Sequence, residues 1–185
     1  MQSQVINRAA RILRADGVIA YPTEGVFGLG CLPESLQAVA RILNLKQRDP
    51  AMGLVLIAAR PEQLTRWTSI DLAEASLAST AEQPVTYVVP ASDDVPYWIH
   101  GDHAGVAVRL VAHPVAAALC DAVDSALVST SANESGRPPA RNAYVLRRRF
   151  ADRVDYVVPG DCGPAKGPSE IRVLETGNVI RTPRA

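Results

Sequence analysis

Apolar residues recur at two spacings along this chain, and the two spacings predict an alternation of helices and strands. Spacings of three and four residues predict helices at residues 5–13, 33–43, 114–123 and 142–150. Short continuous apolar runs predict buried strands at residues 18–21, 54–57, 85–89, 105–111, 127–130, 156–158, 171–174 and 179–181. Residues 22–30 are predicted to form a glycine-rich loop, and residues 61–64 and 72–78 short helical segments.

The order of these elements predicts an α/β fold with a twisted mixed sheet and flanking helices. Strands alternate with helices along most of the chain, which is the pattern of an α/β protein. The last three predicted strands follow one another through links rich in Gly and Pro, so we expect part of the sheet to be antiparallel. No internal repeat or low-complexity linker divides the chain, which predicts one domain over residues 1–185.

Composition narrows the class of protein. Of the 185 residues, 48% are hydrophobic and 21% charged, an ordinary globular balance. No apolar run approaches the ~20 residues that span a bilayer, and the first residues are too polar for a secretory signal, so we expect a cytoplasmic protein without a membrane contact. The three cysteines, Cys31, Cys120 and Cys162, are widely spaced and predict buried thiols rather than disulfides or a zinc site.

Net charge is zero, but its distribution is uneven. Residues 137–153 contain six arginines (137, 141, 147, 148, 149 and 153) and one acidic residue, Asp152. A solvated helix face explains most such segments. A basic patch that grips RNA is the alternative, and the main rival function is therefore an RNA-binding module without catalysis.

Two polar clusters follow apolar runs and predict a binding site. Residues 129–136, Ser-Thr-Ser-Ala-Asn-Glu-Ser-Gly, come directly after the strand predicted to end near Val128, and residues 21–25, Tyr-Pro-Thr-Glu-Gly, come after Ala20. Each cluster alone is compatible with an ordinary turn. Because ligands of α/β proteins collect at the carboxyl ends of strands, two such clusters favour a shared site.

Lys46 and Arg48 close the second predicted helix and suggest phosphate binding. Two residues apart, they cannot share a face of a regular helix, but both can converge on a polyanion where the helix ends. Compensation of the helix dipole is the competing explanation. The chain has neither a Gly-x-x-x-x-Gly-Lys phosphate loop nor a Gly-x-Ser-x-Gly nucleophile motif. The polar groups therefore suit positioning rather than covalent catalysis.

These segments together resemble the YrdC family of threonylcarbamoyl-AMP synthases in its short bacterial form. The resemblance runs from about Ala10 to Arg181. It rests on seven ordered segments: 21–24 (YPTE), 27–30 (FGLG), 45–48 (LKQR), 84–86 (PVT), 106–109 (VAVR), 129–136 (STSANESG) and 168–171 (PSEI). The related hydrogenase-maturation proteins use carbamoyl phosphate, but they carry additional domains and zinc-finger cysteines that this sequence lacks.

The resemblance implies a twisted α/β sheet with a positively charged concave face, and a reaction. L-Threonine, bicarbonate and ATP would give threonylcarbamoyl-AMP and pyrophosphate, with magnesium carried on ATP and no metal site in the protein. Transferase proteins of the same pathway would then make N6-threonylcarbamoyladenosine (t6A) at position 37 of tRNAs that read ANN codons, and the family suggests affinity for tRNA or double-stranded RNA.

The resemblance also implies roles for individual residues. The catalytic set would be Lys46, Arg48, Ser131 and Asn133. ATP would be bound by Lys46, Arg48, Thr86, Ser131, Ser169 and Arg181, and threonine by Thr23, Arg109 and Ser129. Two positions depart from many relatives, which have Thr in place of Gly25 and Tyr in place of Phe27. If that threonine contacts substrate in the relatives, another group must do so here.

Overall fold

The computed structural model describes residues 2–72, 77–134 and 136–182, and its central feature is a nine-stranded mixed sheet. The strands are β1 (Ile19–Pro22), β2 (Phe27–Gly30), β3 (Val55–Ala58), β4 (Val85–Pro90), β5 (Gly105–Leu110), β6 (Leu127–Ser131), β7 (Tyr156–Val157), β8 (Glu170–Val173) and β9 (Val179–Arg181). Their spatial order is β7-β1-β2-β6-β3-β5-β4-β8-β9. The predicted mixed sheet with flanking helices is confirmed.

Helices cover the sheet from both sides. They are α1 (Gln2–Arg14), α2 (Leu36–Lys46), α3 (Tyr97–His100), α4 (Pro114–Val123) and α5 (Ala143–Phe150), with 3-10 helices at Pro50–Met52 and Pro61–Trp67. Helices α1 and α4 pack on one face, against Ile19, Ile57 and Leu127. On the other face α2, α5 and the Pro61–Trp67 helix pack against Phe27, Leu56 and Val128. The strand residues therefore alternate between two cores.

The predicted loop at residues 22–30 is wrong in its second half, because Phe27–Gly30 forms β2 and pairs with β1 in an antiparallel hairpin. Glycine is unfavourable inside strands, which is why the sequence suggested a loop. Here the missing side chain makes close packing possible: a Cβ on Gly30 would lie 2.8 Å from the Tyr21 ring. Phe27 and Leu29 supply the buried side chains of the strand.

The expected antiparallel part of the sheet is confirmed, although only one pair among the last three strands contributes to it. Of the three last strands, only β8 and β9 pair with each other in antiparallel fashion, while β7 pairs with β1 and β8 with β4, both in parallel. Antiparallel pairs also occur within the sheet, where β6 lies between β2 and β3. Residues 158–169, here called the crossover segment, therefore run from one edge of the sheet almost to the other.

Several boundaries differ in smaller ways. Helix α2 begins at Leu36 rather than at residue 33, because Ser35 is its N-cap and accepts a hydrogen bond from the Ala38 N–H. The helical segment predicted at 61–64 is a 3-10 helix that extends to Trp67, and α3 and the Pro50–Met52 helix were not predicted. Residues 73–76 of the segment predicted at 72–78 lie outside the described residues. Among the described helices, none is long and apolar enough to cross a membrane.

Candidate active site

One face of the sheet is only partly covered by helices, and the predicted site residues on β5 and β6, Arg109, Ser129 and Ser131, share that face. Side chains opposite each other in a pair of strands point the same way. Ser129 lies opposite Val55, which also lies opposite Ala107, two residues before Arg109. Ser131 lies two residues beyond Ser129, on the same side as Leu127. Helices α1 and α4 cover this face at Leu127, and the polar residues begin where that cover ends.

A cavity of about 420 Å³ opens on this uncovered part of the face. Its size falls in the usual range for small-molecule sites, roughly 300–1,000 Å³. Nine of the ten predicted site residues line it: Thr23, Lys46, Arg48, Arg109, Ser129, Ser131, Asn133, Ser169 and Arg181. Thr86 is not among the lining residues. The site therefore extends across a sheet face rather than only along the strand ends.

Lys46 lies at the centre of a hydrogen-bonded cluster at the end of β6. Its ammonium group donates to the Ser131 carbonyl (2.6 Å), the Asn133 carbonyl (3.0 Å) and Asn133 Oδ1 (2.9 Å). Ser131 Oγ donates to the same Oδ1 at 2.5 Å. An ammonium group has three donors, so these contacts use all of them, and an incoming phosphate must replace one.

Arg48 reaches the same cavity because the chain turns sharply after α2. Gln47 is the C-cap residue and adopts the left-handed conformation, with φ of 49°. The Arg48 guanidinium then donates to the carbonyl oxygens of Gly53 and Met52 at 2.8 and 3.3 Å. The expected convergence of the two cations is thus achieved by a left-handed residue between them.

Burial weakens the proton affinity of both cations. It lowers the pKa of Lys46 to about 8, with the charge of Arg48 as a smaller second cause. Burial also lowers the pKa of Arg48. Desolvation disfavours a charged form that has no compensating anion, so the two pKa shifts mark a site that an anionic ligand would stabilise.

Thr23 and Ser129 meet beside Gly28. A Cβ added to Gly28 would lie 3.3 Å from Ser129 Oγ and 3.4 Å from Thr23 Cγ2, so the two side chains border the same small space. The Thr23 hydroxyl donates to the Val26 carbonyl at 2.7 Å within the β1–β2 turn. Its one proton is therefore committed, and toward a ligand Thr23 can act only as an acceptor.

Arg109 is held beside a carboxylate that was not predicted as a site residue. Its Nη2 lies 3.4 Å from Glu24 Oε2, and the side chains are only 8% and 1% exposed. Glu24 Oε1 accepts a hydrogen bond from the Ala112 N–H at 2.9 Å. A buried carboxylate needs such partners, and the acidic residue in the polar cluster at residues 21–25 is the sequence signal that could have identified it.

Thr86 lies behind the cavity rather than in its wall. It is fully buried, and its hydroxyl is 2.7 Å from that of Ser169, which lines the cavity. Arg181 donates to the Ser169 carbonyl at 2.8 Å. Ser169 therefore separates the Thr86 hydroxyl from the cavity, and any effect of Thr86 on a nucleotide bound there would pass through Ser169.

The crossover segment forms one wall of the cavity. Gly163 and Ala165 donate their N–H groups to the carbonyls of Thr23 and Glu24, both at 2.9 Å. A Cβ on Gly25 would overlap the Gly167 carbonyl oxygen and lie 2.9 Å from that of Ala165. Glycine at position 25 therefore lets this segment pack directly on the β1–β2 turn. Phe27, the other departure, is buried in the core and does not line the cavity.

The fold and the cavity define an α/β protein with a cavity lined by cationic side chains on the open face of a mixed sheet. A family model for Sua5, YciO and YrdC, described as "Telomere recombination", matches residues 11–183, and the chain belongs to this family. The threonylcarbamoyl-AMP synthases of Nitrosococcus oceani and Alkalilimnicola ehrlichii are both 49% identical to it. Each alignment covers 95% of this chain, with 96% and 94% of the respective relative.

Solved structures agree with this assignment. Sua5 of P. abyssi, whose crystal structure contains L-threonine, is 28% identical, with a TM-score of 0.84 over 95% of this chain. This chain spans about half of that longer protein, 53% of its length. YciO of E. coli, at 23% identity and a TM-score of 0.82, shows the same fold.

Proposed function

We propose that this protein is a threonylcarbamoyl-AMP synthase, an ATP-dependent nucleotidyltransferase that acts on L-threonine and bicarbonate. The observation that carries the proposal is the arrangement of cations in one cavity. Lys46 and Arg48 lie together with Ser131 and Asn133, while Arg109 lies with Thr23 and Ser129. The names of the relatives support the same activity.

The residues suit a reaction that needs alignment rather than an enzyme nucleophile. The threonine amine captures carbon dioxide derived from bicarbonate, with loss of water, and becomes a carbamate. A carbamate oxygen then attacks the α-phosphorus of ATP, and the bond to pyrophosphate breaks. The carbamate and the triphosphate repel each other, so fixed cations and donors lower the barrier by holding both in line.

Lys46 and Arg48 would neutralise the triphosphate, with Arg181 as a further cation and Ser169 as a hydroxyl contact. Ser131 and Asn133 would hold the reacting centre, and Arg109 would bind the threonine carboxylate. Magnesium would arrive on the triphosphate, whose oxygens it prefers as ligands. Both carboxylates that line the cavity are engaged by the protein: Glu24 as described, and Asp49 as the acceptor of the Ala51 N–H.

The experiment is pyrophosphate release from MgATP with bicarbonate, measured with and without L-threonine, together with mass detection of threonylcarbamoyl-AMP. We expect release that depends on threonine and forms that product. Lys46→Ala and Arg48→Ala should each abolish it while leaving the folded state intact. Lys166→Ala is the matched control, because Lys166 is the other lysine of the chain and is exposed outside the cavity lining.

The outcomes separate the alternatives. ATP binding without turnover would refute the assignment of threonine and bicarbonate as sufficient substrates. Absence of both ATP binding and turnover would refute the synthase and favour the RNA-binding module. Near-normal turnover of the Lys46 or Arg48 variant would remove that residue from the mechanism.

A contact with tRNA is supported by one observation on α5. Tyr144 is 74% exposed, and Arg147 and Arg148 are exposed on the same side of the helix, three and four residues further on. The other arginines are engaged: Arg137 and Arg153 pair with Glu134, and Arg141 and Arg149 donate to main-chain carbonyls. This favours a structural role for those four.

If Arg147 and Arg148 contact tRNA phosphates, replacing both with Gln should reduce the magnitude of the slope of log affinity against log salt by roughly 1.4–1.8, since each phosphate contact contributes roughly 0.7–0.9. An unchanged slope would refute the contact. Delivery of the product to t6A-pathway transferases and a cytoplasmic location are parts of the same proposal.

A further inference from the structure

The buried ion pair between Glu24 and Arg109 leaves polar atoms of both side chains without hydrogen bonds in the described part of the chain. Both side chains are almost fully buried, and their nearest charged atoms are 3.4 Å apart. Among the described residues, neither Glu24 Oε2 nor Arg109 Nε has a hydrogen-bond partner. Buried charges normally have their remaining polar atoms satisfied, because desolvation is costly otherwise. The unsatisfied atoms at a cavity wall indicate that a ligand completes the set.

Glu24 itself is held in place independently of Arg109. Its Oε1 accepts the Ala112 N–H at 2.9 Å, and its main-chain carbonyl accepts the Ala165 N–H at the same distance. Ala112 lies just beyond the end of β5, the strand that carries Arg109. The carboxylate is therefore fixed relative to the strand from which the arginine side chain departs.

We propose that Glu24 is a positioning residue that orients the Arg109 guanidinium toward the carboxylate of the amino-acid substrate. This inference rests on the proposed function, because it takes that substrate to be threonine. Glu24 attracts one terminal nitrogen of the guanidinium and leaves other N–H groups uncommitted. A planar guanidinium binds a carboxylate strongly only when its orientation is right, so a fixed neighbour increases affinity.

A second effect of Glu24 has the opposite sign. Its negative charge partly neutralises Arg109 and so weakens the attraction for any anion. Removing the charge while keeping the shape distinguishes the two effects. If orientation dominates, Glu24→Gln weakens threonine binding; if neutralisation dominates, the same change strengthens it.

The test is calorimetric titration of Glu24→Gln with L-threonine and, separately, with ATP. We expect threonine binding to weaken by about tenfold and ATP binding to stay within about twofold, in line with typical couplings between contacting residues. In an Arg109→Gln background, the added Glu24→Gln change should have no further effect on threonine binding. Glu24→Asp, which keeps the charge but withdraws it from Arg109, should also weaken threonine binding.

Asp155→Asn is the matched control. Asp155 is also a carboxylate that pairs with an arginine, Arg41 at 2.7 Å, and accepts a main-chain N–H, but it lies outside the cavity lining. The Asp155→Asn variant should be less stable than the parent protein but should bind threonine with the same affinity.

Threonine binding by Glu24→Gln as tight as in the parent protein, or tighter, would overturn the proposal, as would additive losses in the double variant. If Glu24→Gln does not fold, Glu24→Asp provides the test instead. Threonine binding by Glu24→Asp that is close to that of the parent protein would also overturn the proposal. A parent protein that shows no threonine-dependent turnover would instead refute the proposed function.

Discussion

The ammonium group of Lys46 donates a 2.6 Å hydrogen bond to the main-chain carbonyl of Ser131, which ties the end of α2 to the end of β6. This contact joins the two segments that the sequence marked separately as phosphate-binding and strand-end polar. It also holds the cation over the end of β6, so little side-chain freedom remains to be lost when a ligand binds.

The lowered pKa of Lys46 predicts that ATP binding is coupled to proton uptake. With a pKa of about 8 in the ligand-free protein, Lys46 is substantially neutral at pH 8.5. Bound phosphates favour its charged form and raise the pKa again. Calorimetric titrations of ATP at pH 8.5, in buffers of different ionisation enthalpy, should show uptake of a fraction of one proton.

Lys46→Arg serves as the control for that coupling, because a guanidinium stays charged at this pH. The variant should show no proton uptake at pH 8.5. Buffer-independent binding enthalpy in the parent protein would contradict the prediction.

The same pKa shift predicts a rise in stability with pH. The folded chain releases the Lys46 proton near pH 8, whereas the unfolded chain keeps it until about 10.5. Between these values the unfolded state binds more protons, so the free energy of unfolding contributed by Lys46 increases as pH rises. Denaturant titrations at pH 7.5 and 9.5 should show this increase relative to Lys46→Met, and an equal pH trend in the two proteins would argue against it.

Gln47 should tolerate glycine but not valine. Its left-handed conformation costs a residue with a Cβ roughly 1–2 kcal/mol, which Gln47 already bears; glycine bears no such cost, and a β-branched residue is disfavoured further. We expect Gln47→Val to lower the free energy of unfolding and to raise the KM for ATP, because it displaces Arg48. Gln47→Gly should leave the free energy of unfolding at or above that of the parent and the KM for ATP near the parent value. Equal behaviour of the two variants would show that the backbone conformation at position 47 does not position Arg48.

The distribution of apolar residues predicted most of the sheet because β1, β3 and β5 consist largely of apolar residues, and β6 begins with the buried Leu127 and Val128. It did not predict β2, where Gly28 and Gly30 serve close packing rather than a turn. The distribution of apolar residues did not predict strand pairing either, because nothing local in residues 156–173 specifies that β7 and β8 join opposite halves of the sheet.

For the site, residue types along the sequence predicted which cations and hydroxyl groups take part. They did not predict which of these side chains line the cavity and which lie behind its wall. Lys46 and Arg48 were suggested by their place at a helix end, and the structure adds the left-handed residue between them. Thr86 was placed among the nucleotide contacts, but strand alternation alone could not show that Ser169 would lie between it and the cavity. Glu24 was overlooked as a functional residue because its partner, Arg109, is far away in sequence.

The hydroxyl pair of Thr86 and Ser169 predicts an indirect effect on nucleotide binding. Thr86→Val keeps the shape but leaves the buried Ser169 hydroxyl without its partner, at a cost of about 1–3 kcal/mol. We expect lower thermal stability and a higher KM for ATP, with the KM for threonine unchanged. Thr86→Ser restores the hydroxyl and should bring the KM for ATP back. If Thr86→Val changes the KM for threonine as much as that for ATP, Ser169 is not specific to the nucleotide side.

The close contact between Gly25 and the crossover segment should be required for the nucleotide side of the cavity to form. Alanine there would drive its Cβ into the main-chain carbonyls of Gly167 and Ala165, which cannot rotate away as a side chain would. Overpacking of this kind costs about 1–3 kcal/mol, and relief requires the segment to move outward. Since Pro168 and Ser169 follow directly, Gly25→Ala should raise the KM for ATP as well as lower the melting temperature.

Gly177→Ala provides the comparison: its φ of 71° makes alanine strained, but its surroundings are open and it lies outside the cavity lining. Gly177→Ala should lower the melting temperature but leave the KM for ATP unchanged. If both variants lose stability alike and neither alters the KM for ATP, close packing at Gly25 is not what shapes the nucleotide side of the cavity.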